Sequence, residues 1–281
     1  MNQIRLGFKL FFQSIIFTFK HAQLFLYIGA YIILHHLLNY LLFPSLTIDI
    51  QNLADTLTIA GNYTPGITSS PMLLILLGII FHIFSFLFFY VLIVGITDYT
   101  SHLLHNQSET IMHSIKKGLS KIGAIIVYGF LKITFIFFGI LVSAPILRPL
   151  VMSLANNPEN VLSIRLIMAA LLSAIIYFIY EAFTFYFFPA ITLSNASFFE
   201  ALKKSWHMVF KTFFTIIVFL ILWGVLAAVS SVFIPVFEGF MLGKTIIIVL
   251  ASIFSYTIFT VFKTILYEKV NGTLPKRYDQ E

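Results

Sequence analysis

Residues 72–95 read MLLILLGIIFHIFSFLFFYVLIVG, and this stretch decides the fold. It is an unbroken apolar run with one ionisable side chain, His82. At 1.5 Å per residue, about 20 apolar residues cross the hydrocarbon core of a bilayer. Backbone groups in that core must bond within the segment, so such a run is a membrane helix. Five further stretches read the same way: 24–43, 122–146, 164–189, 212–237 and 245–267. The expected fold is all-α, a polytopic transmembrane bundle of six spans.

Composition excludes the alternatives. Hydrophobic residues make up 59% of the 281 and charged residues only 10%, against roughly 25% charged in ordinary soluble domains. So apolar a chain has too little polar surface to face water. With no cysteine, disulfides, thiol catalysis and thiolate metal sites are ruled out. The net charge of +6 comes mostly from lysines in short connections, a pattern that speaks of membrane orientation rather than nucleic acid. The run ending at Phe43-Pro44 carries no small-x-small cleavage pattern, so it is expected as a retained span. The longest connection, 44–71, is expected as a modest external loop.

Orientation follows from the lysines and arginines. One side collects Arg5, Lys9, Lys20, Lys116, Lys117, Lys121, Lys203, Lys204, Lys211, Lys269, Lys276 and Arg277; the other has Arg148, Arg165 and Lys244. The positive-inside rule then places both termini in the cytoplasm, and an even span count agrees.

Three segments on the lysine-rich side share a design. In 197–211, Phe199, Leu202, Trp206, Val209 and Phe210 fall on one helical face. Glu200, Lys203, Lys204, His207 and Lys211 fall opposite. Ser197 with Glu200 makes a capping box, so the helix starts there. Segment 108–121 sets Ile111, Ile115 and Leu119 against Lys116 and Lys117, and segment 4–20 carries Arg5, Lys9 and Gln13 as a stripe. Such helices lie flat in the interface, with lysines reaching anionic headgroups. Lys116, Lys117, Lys203, Lys204, Trp206 and Lys211 are the candidate membrane-surface contacts. The order of one amphipathic helix and two spans recurs three times in a single membrane domain, over about 4–95, 108–189 and 197–267. Repeats of one orientation differ from the inverted repeats of many transporters.

Phe188-Pro189-Ala190, followed by Phe199-Glu200-Ala201-Leu202-Lys203-Lys204-Ser205-Trp206, resembles the central motif of an uncharacterised family of six-span prokaryotic membrane proteins. The tail, with Leu266-Tyr267, Gly272-Thr273-Leu274-Pro275 and Tyr278-Asp279, resembles that family's ending. A related pattern occurs in the membrane domain of some bacterial glycerophosphodiester phosphodiesterases. The resemblance implies a prokaryotic inner-membrane protein and brings no activity with it. The phosphodiesterase catalytic domain has no counterpart in this sequence.

Catalytic signatures are missing: there is no H-E-x-x-H, no G-x-S-x-G and no acidic cluster for a metal. Gly239 to Thr245 imitates a phosphate-binding loop but is one residue short between its glycines and follows no strand. No catalytic residue, metal site or cofactor is expected. Small residues four apart, such as Gly224 and Ala228, mark packing faces. Pro44, Pro145 and Pro235 mark outer span ends.

Ionisable residues inside spans are the best functional signal, because burying them in lipid is expensive. His35, His36, His82 and Lys132 fall near the midplane, Glu181 in the inner half of its span and Lys263 near the inner end of the last. They form a polar belt if the helices pack together. The expected role is a non-enzymatic structural, assembly or lipid-interacting factor. Its partners would be membrane lipids with anionic headgroups, and a second copy or another membrane protein. The alternative is a small transporter or channel with a polar path through His35, His82, Lys132 and Glu181.

Overall fold

The computed structural model describes residues 2–42, 71–156, 172, 176, 179–236 and 241–280. Among these, every regular element is helical. The order is α1 (Gln3–Lys20), α2 (Leu24–Leu42), α3 (Pro71–Leu104), α4 (Ile111–Ser120), α5 (Ile122–Asn156), α6 (Phe187–Leu193), α7 (Phe198–Val236), α8 (Met241–Asn271) and α9 (Lys276–Gln280). Four stretches are long and apolar enough to cross a membrane: Gly78–Leu104, Ile122–Gly139, Phe198–Val225 and Ile246–Asn271. The pair Gln3–Lys20 and Leu24–Leu38, bent by 80°, makes a fifth if counted as one span. The fold is an all-α membrane bundle. Residues 44–70 of the expected loop 44–71 and most of the expected span 164–189 lie outside the described residues.

Local chemistry sets the helix starts. Asn2 caps α1 by accepting the Ile4 N–H at 3.1 Å, and Thr110 caps α4 by accepting that of His113 at 3.3 Å. Glu200 reaches back to the Ser197 N–H at 2.9 Å, the returning half of a capping box, so α7 begins where the sequence placed it. Two expected ends shift. Helix α3 continues past residue 95 to Leu104, and every residue from 91 to 100 is buried. The cause is α4, which lies across it: a Cβ added at Gly118 would strike the Val91 carbonyl oxygen, and Ser114 donates to Asp98 at 3.0 Å. Helix α5 passes through Pro145 to Asn156, so that proline does not end it. At Gly224 an added Cβ meets nothing within 4 Å, so this expected packing position faces open space.

Two interruptions shape the bundle, and each is bridged by a polar side chain from elsewhere. Helical residues 179–184 give way to a turn at Phe185-Tyr186 before α6 resumes. The Ser205 hydroxyl fills this break, donating to the Phe183 carbonyl at 2.6 Å and accepting the Tyr186 N–H at 3.0 Å. In α7, Thr212 leaves helical geometry (φ −119°, ψ 16°). Gln3 of α1 spans that kink: its amide donates to the Lys211 carbonyl at 2.7 Å and accepts the Phe214 N–H at 3.1 Å. Backbone groups freed by a break need a partner of this kind wherever water does not reach them.

The lysine-rich segments gather at one end. Arg277 donates to the Leu104 carbonyl at 2.6 Å, Gln13 to that of Tyr278 at 3.4 Å, and Lys117 to the Asn195 side chain at 3.1 Å. Helix α1 docks on α7 so closely that a Cβ at Gly7 would sit 2.9 Å from the Val218 side chain.

Candidate functional site

A cavity of about 810 Å3 opens between α2, α3, α5, α7, α8 and the interrupted segment around residues 181–189. All six ionisable residues noted within the apolar runs line it: His35, His36, His82, Lys132, Glu181 and Lys263. Its volume falls within the range of small-molecule sites, about 300–1,000 Å3. The remaining wall is largely aromatic.

One polar group comes from α2 and α3. The Ser85 hydroxyl lies 2.6 Å from His35 Nδ1 and 2.7 Å from the Tyr31 hydroxyl, so three side chains form a short relay. The His35 ring stacks on Phe81 with centroids 5.5 Å apart. His82 Nδ1 donates to the Gly78 carbonyl of its own helix at 2.8 Å, which fixes that nitrogen as the protonated one. The His35 and His82 rings are 6.2 Å apart. Among the described residues, no three His, Asp or Glu side chains have metal-holding geometry.

The second group carries charge. Lys132 Nζ of α5 donates to the Tyr90 hydroxyl at 3.0 Å. Lys263 Nζ of α8 lies 4.0 Å from the centre of the Phe259 ring and 4.8 Å from that of Phe185. Such cation–π contacts hold an ammonium where water is scarce. Glu181 enters from the helical turn before the break, and Phe188 and Pro189 from just after it. Phe188 stacks on Tyr90 at 5.0 Å, tying the break to the wall that holds Lys132. Trp223 stacks on Phe259 at 5.3 Å, and its indole N–H is buried with no hydrogen-bond partner.

The candidate surface residues separate into two groups. Lys116, Lys203 and Lys211 are exposed. Trp206 is 40% exposed and stacks face to face on Phe183. Lys117 and Lys204 are instead engaged by the protein. Lys204 lies 5.1 Å above the Tyr267 ring. Lys117 and Lys121 both donate to one Asn195 oxygen at 3.1 Å. Burial, and then the Lys117 charge, lower the pKa of the Lys121 ammonium below its ordinary value. Asn195 can offer this oxygen because it turns the chain with a positive φ of 49°, a conformation asparagine tolerates.

Sequence reasoning missed Ser85, Tyr31, Tyr90 and Trp223 at the cavity. Hydroxyls and an indole among so many aromatic residues leave no signal until the helices are packed.

The helices and their apolar lengths define a multi-pass α-helical membrane protein. Compared with protein-family profiles, curated proteins and solved structures, the chain matches none.

Proposed function

We propose that this chain is a non-enzymatic, lipid-interacting protein of a prokaryotic cytoplasmic membrane. Both termini lie inside, and α1, α4 and the first part of α7 lie along the inner leaflet. The carrying observation is that each of these segments has three faces. Small residues dock on the bundle: Gly7 and Ser14, Ser114 and Gly118, Ala201 and Ser205 are all buried or in tight contact. Bulky apolar residues are left outside: Phe8, Phe12 and Ile16 on α1, Met112 and Leu119 on α4, Phe199 and Phe210 on α7. Basic residues Arg5, Lys116, Lys203 and Lys211 are exposed as well. An outward apolar face beside a basic one suits the boundary between acyl chains and headgroups. Each lysine near an anionic surface contributes about 1 kcal/mol. The gathering of the lysine-rich segments at one end supports placing them on one side of the membrane. Kinship with the six-span prokaryotic family is part of this proposal. The residues that carry it have structural work here, since Phe188-Pro189-Ala190 lie in α6 and Ser205 bridges the break before it.

The test is retention of phospholipid by the full chain. Replacing Lys116, Lys203 and Lys211 together by Gln should strip most co-purifying anionic phospholipid after detergent washing, read by native mass spectrometry. Unchanged retention would mean that these lysines serve orientation only.

A second reading, a small transporter or channel, is favoured by the helix break beside the cavity, since transporter sites are commonly built from discontinuous helices. Under it, Glu181→Gln abolishes flux in proteoliposomes while the protein stays folded. A scaffold would show no flux to lose.

A further inference from the structure

We infer that the intramembrane cavity is a binding site for an amphiphile with one anionic head group, its head held by Lys132 and Lys263 and its chain laid along the aromatic wall. The inference goes beyond the surface reading and holds equally for a lipid-interacting factor and for a carrier.

Charge gives the first argument. The charged side chains in the lining are Lys132, Lys263 and Glu181, two cations to one anion in formal terms. A ligand with one negative charge brings the site to neutrality. A neutral or cationic ligand leaves an excess positive charge where burying it is expensive.

The placement of the ammonium groups gives the second. Lys132 donates one of its three protons to the Tyr90 hydroxyl, and Lys263 is cradled by the Phe259 and Phe185 rings. An ammonium has three donors, and rings accept no ordinary hydrogen bond. Both lysines therefore keep donor capacity for carboxylate or phosphate oxygens. The Trp223 N–H, buried and unpartnered on the same wall, is a further donor.

Shape points the same way. An aromatic ring stands between the two polar groups: Phe89 lies 5.4 Å from Tyr31, beside His35, and 5.3 Å from Tyr90, which holds Lys132. That leaves an apolar stretch for a chain beyond a polar end for a head. The volume suits one acyl chain with a small head better than a two-chain phospholipid. Carboxylate and phosphate share the required chemistry, so a fatty acid and a lysophosphatidic acid both qualify.

The chain has two tryptophans, Trp206 and Trp223. Trp206→Phe therefore leaves Trp223 as a reporter inside the cavity. The full-length variant, in nanodiscs of phosphatidylcholine, is titrated with a brominated fatty acid and a brominated lysophosphatidic acid. Each is compared with its uncharged counterpart, the fatty alcohol or the monoacylglycerol, at equal mole fraction in the bilayer. At least one acid should quench Trp223 at a mole fraction about tenfold lower than its neutral counterpart, the scale of a charge-assisted hydrogen bond. Which acid does so identifies the head. Lys132→Met and Lys263→Met should each erase most of that preference, and Glu181→Gln should preserve or strengthen it. Equal quenching by acids and neutral counterparts overturns the inference. That comparison requires neither lysine substitution, so it decides even if those variants fail to fold. Because the reporter lies in the cavity, failure here leaves the interfacial helices untouched, and failure of phospholipid retention leaves the cavity untouched.

Discussion

At the C-terminal ends of α3 and α8, ionisable side chains meet one another. His105 lies 3.2 Å from Glu268, His102 lies 3.7 Å from Glu109 and 3.8 Å from Asp98, and His113 lies 3.5 Å from Glu109. In the cavity, the ammonium groups meet a phenol and two phenyl rings instead. The first arrangement uses its polar capacity to join three connections of the chain, α3, α4 and the end of α8. The second leaves capacity facing a void. Mutual pairing is what a structural cluster does with charge, whereas donors held by rings around a cavity are what a ligand site does with it. The difference gives opposite expectations for the same kind of substitution.

The largest effect should fall on the paired cluster. Glu268 is 2% exposed, whereas the His105 side chain is 29% exposed. His105→Ala leaves a buried carboxyl group without the imidazole beside it, which should cost about 2 kcal/mol, less than the roughly 3–5 kcal/mol of a fully buried ion pair because His105 is partly solvated. Glu268→Gln removes the buried charge itself and leaves His105 access to water, so it should cost less. Thermal unfolding in detergent gives both values. Equal losses would show that the cluster does not act through the stranded carboxylate.

Much of this was legible beforehand, for identifiable reasons. Charge within an apolar run is conspicuous, so His35, His36, His82, Lys132, Glu181 and Lys263 stood out, and packing brings them to one cavity. The capping pattern at Ser197 marked the start of α7 because it is local. What could not be read was contact across the chain. Gln3 bridges a kink at Thr212 through Lys211, a residue 208 positions away. Ser205 bridges a break in the preceding helix, and nothing in its own neighbourhood announces that. The Asp98, Glu109 and Glu268 cluster was overlooked because its members sit among polar connections, where charge is unremarkable. The facing of α1, α4 and α7 was half legible. Period separated apolar from basic residues, but Val209, assigned to the lipid-facing side, is buried in the bundle.

A smaller effect, of opposite sign, is expected in the cavity. Lys132→Met and Lys263→Met replace a charge by an apolar side chain of similar length. Without a ligand the Lys132→Met midpoint should hold or rise, by an amount on the order of 1 kcal/mol, since sites built for binding commonly sacrifice stability, whereas Lys263→Met also takes a cation away from Glu181 and should gain less. A marked fall for Lys132→Met would erase the contrast with the paired cluster and make that lysine structural.

The smallest and most discriminating effect is the coupling between Glu181 and the two lysines. All three line one cavity. Lys132 already spends a donor on Tyr90 at 3.0 Å, whereas the cation–π contacts of Lys263 leave its donors available. We therefore expect Glu181 to pair chiefly with Lys263. A carboxylate and an ammonium that share a site lose more when one is removed than when both are. Glu181→Gln, Lys263→Met and Lys132→Met, measured singly and as the two Glu181 doubles, isolate that term as a double-mutant cycle. The coupling should be about 1 kcal/mol with Lys263 and smaller with Lys132. A larger value for Lys132 would move the paired lysine to α5 and leave Lys263 as the principal ligand contact. If both cycles close at zero, Glu181 pairs with neither lysine and both stay available to an anionic head group. The amphiphile site would survive that result, but the transporter reading would lose the residue best suited to exchange charge with its cargo.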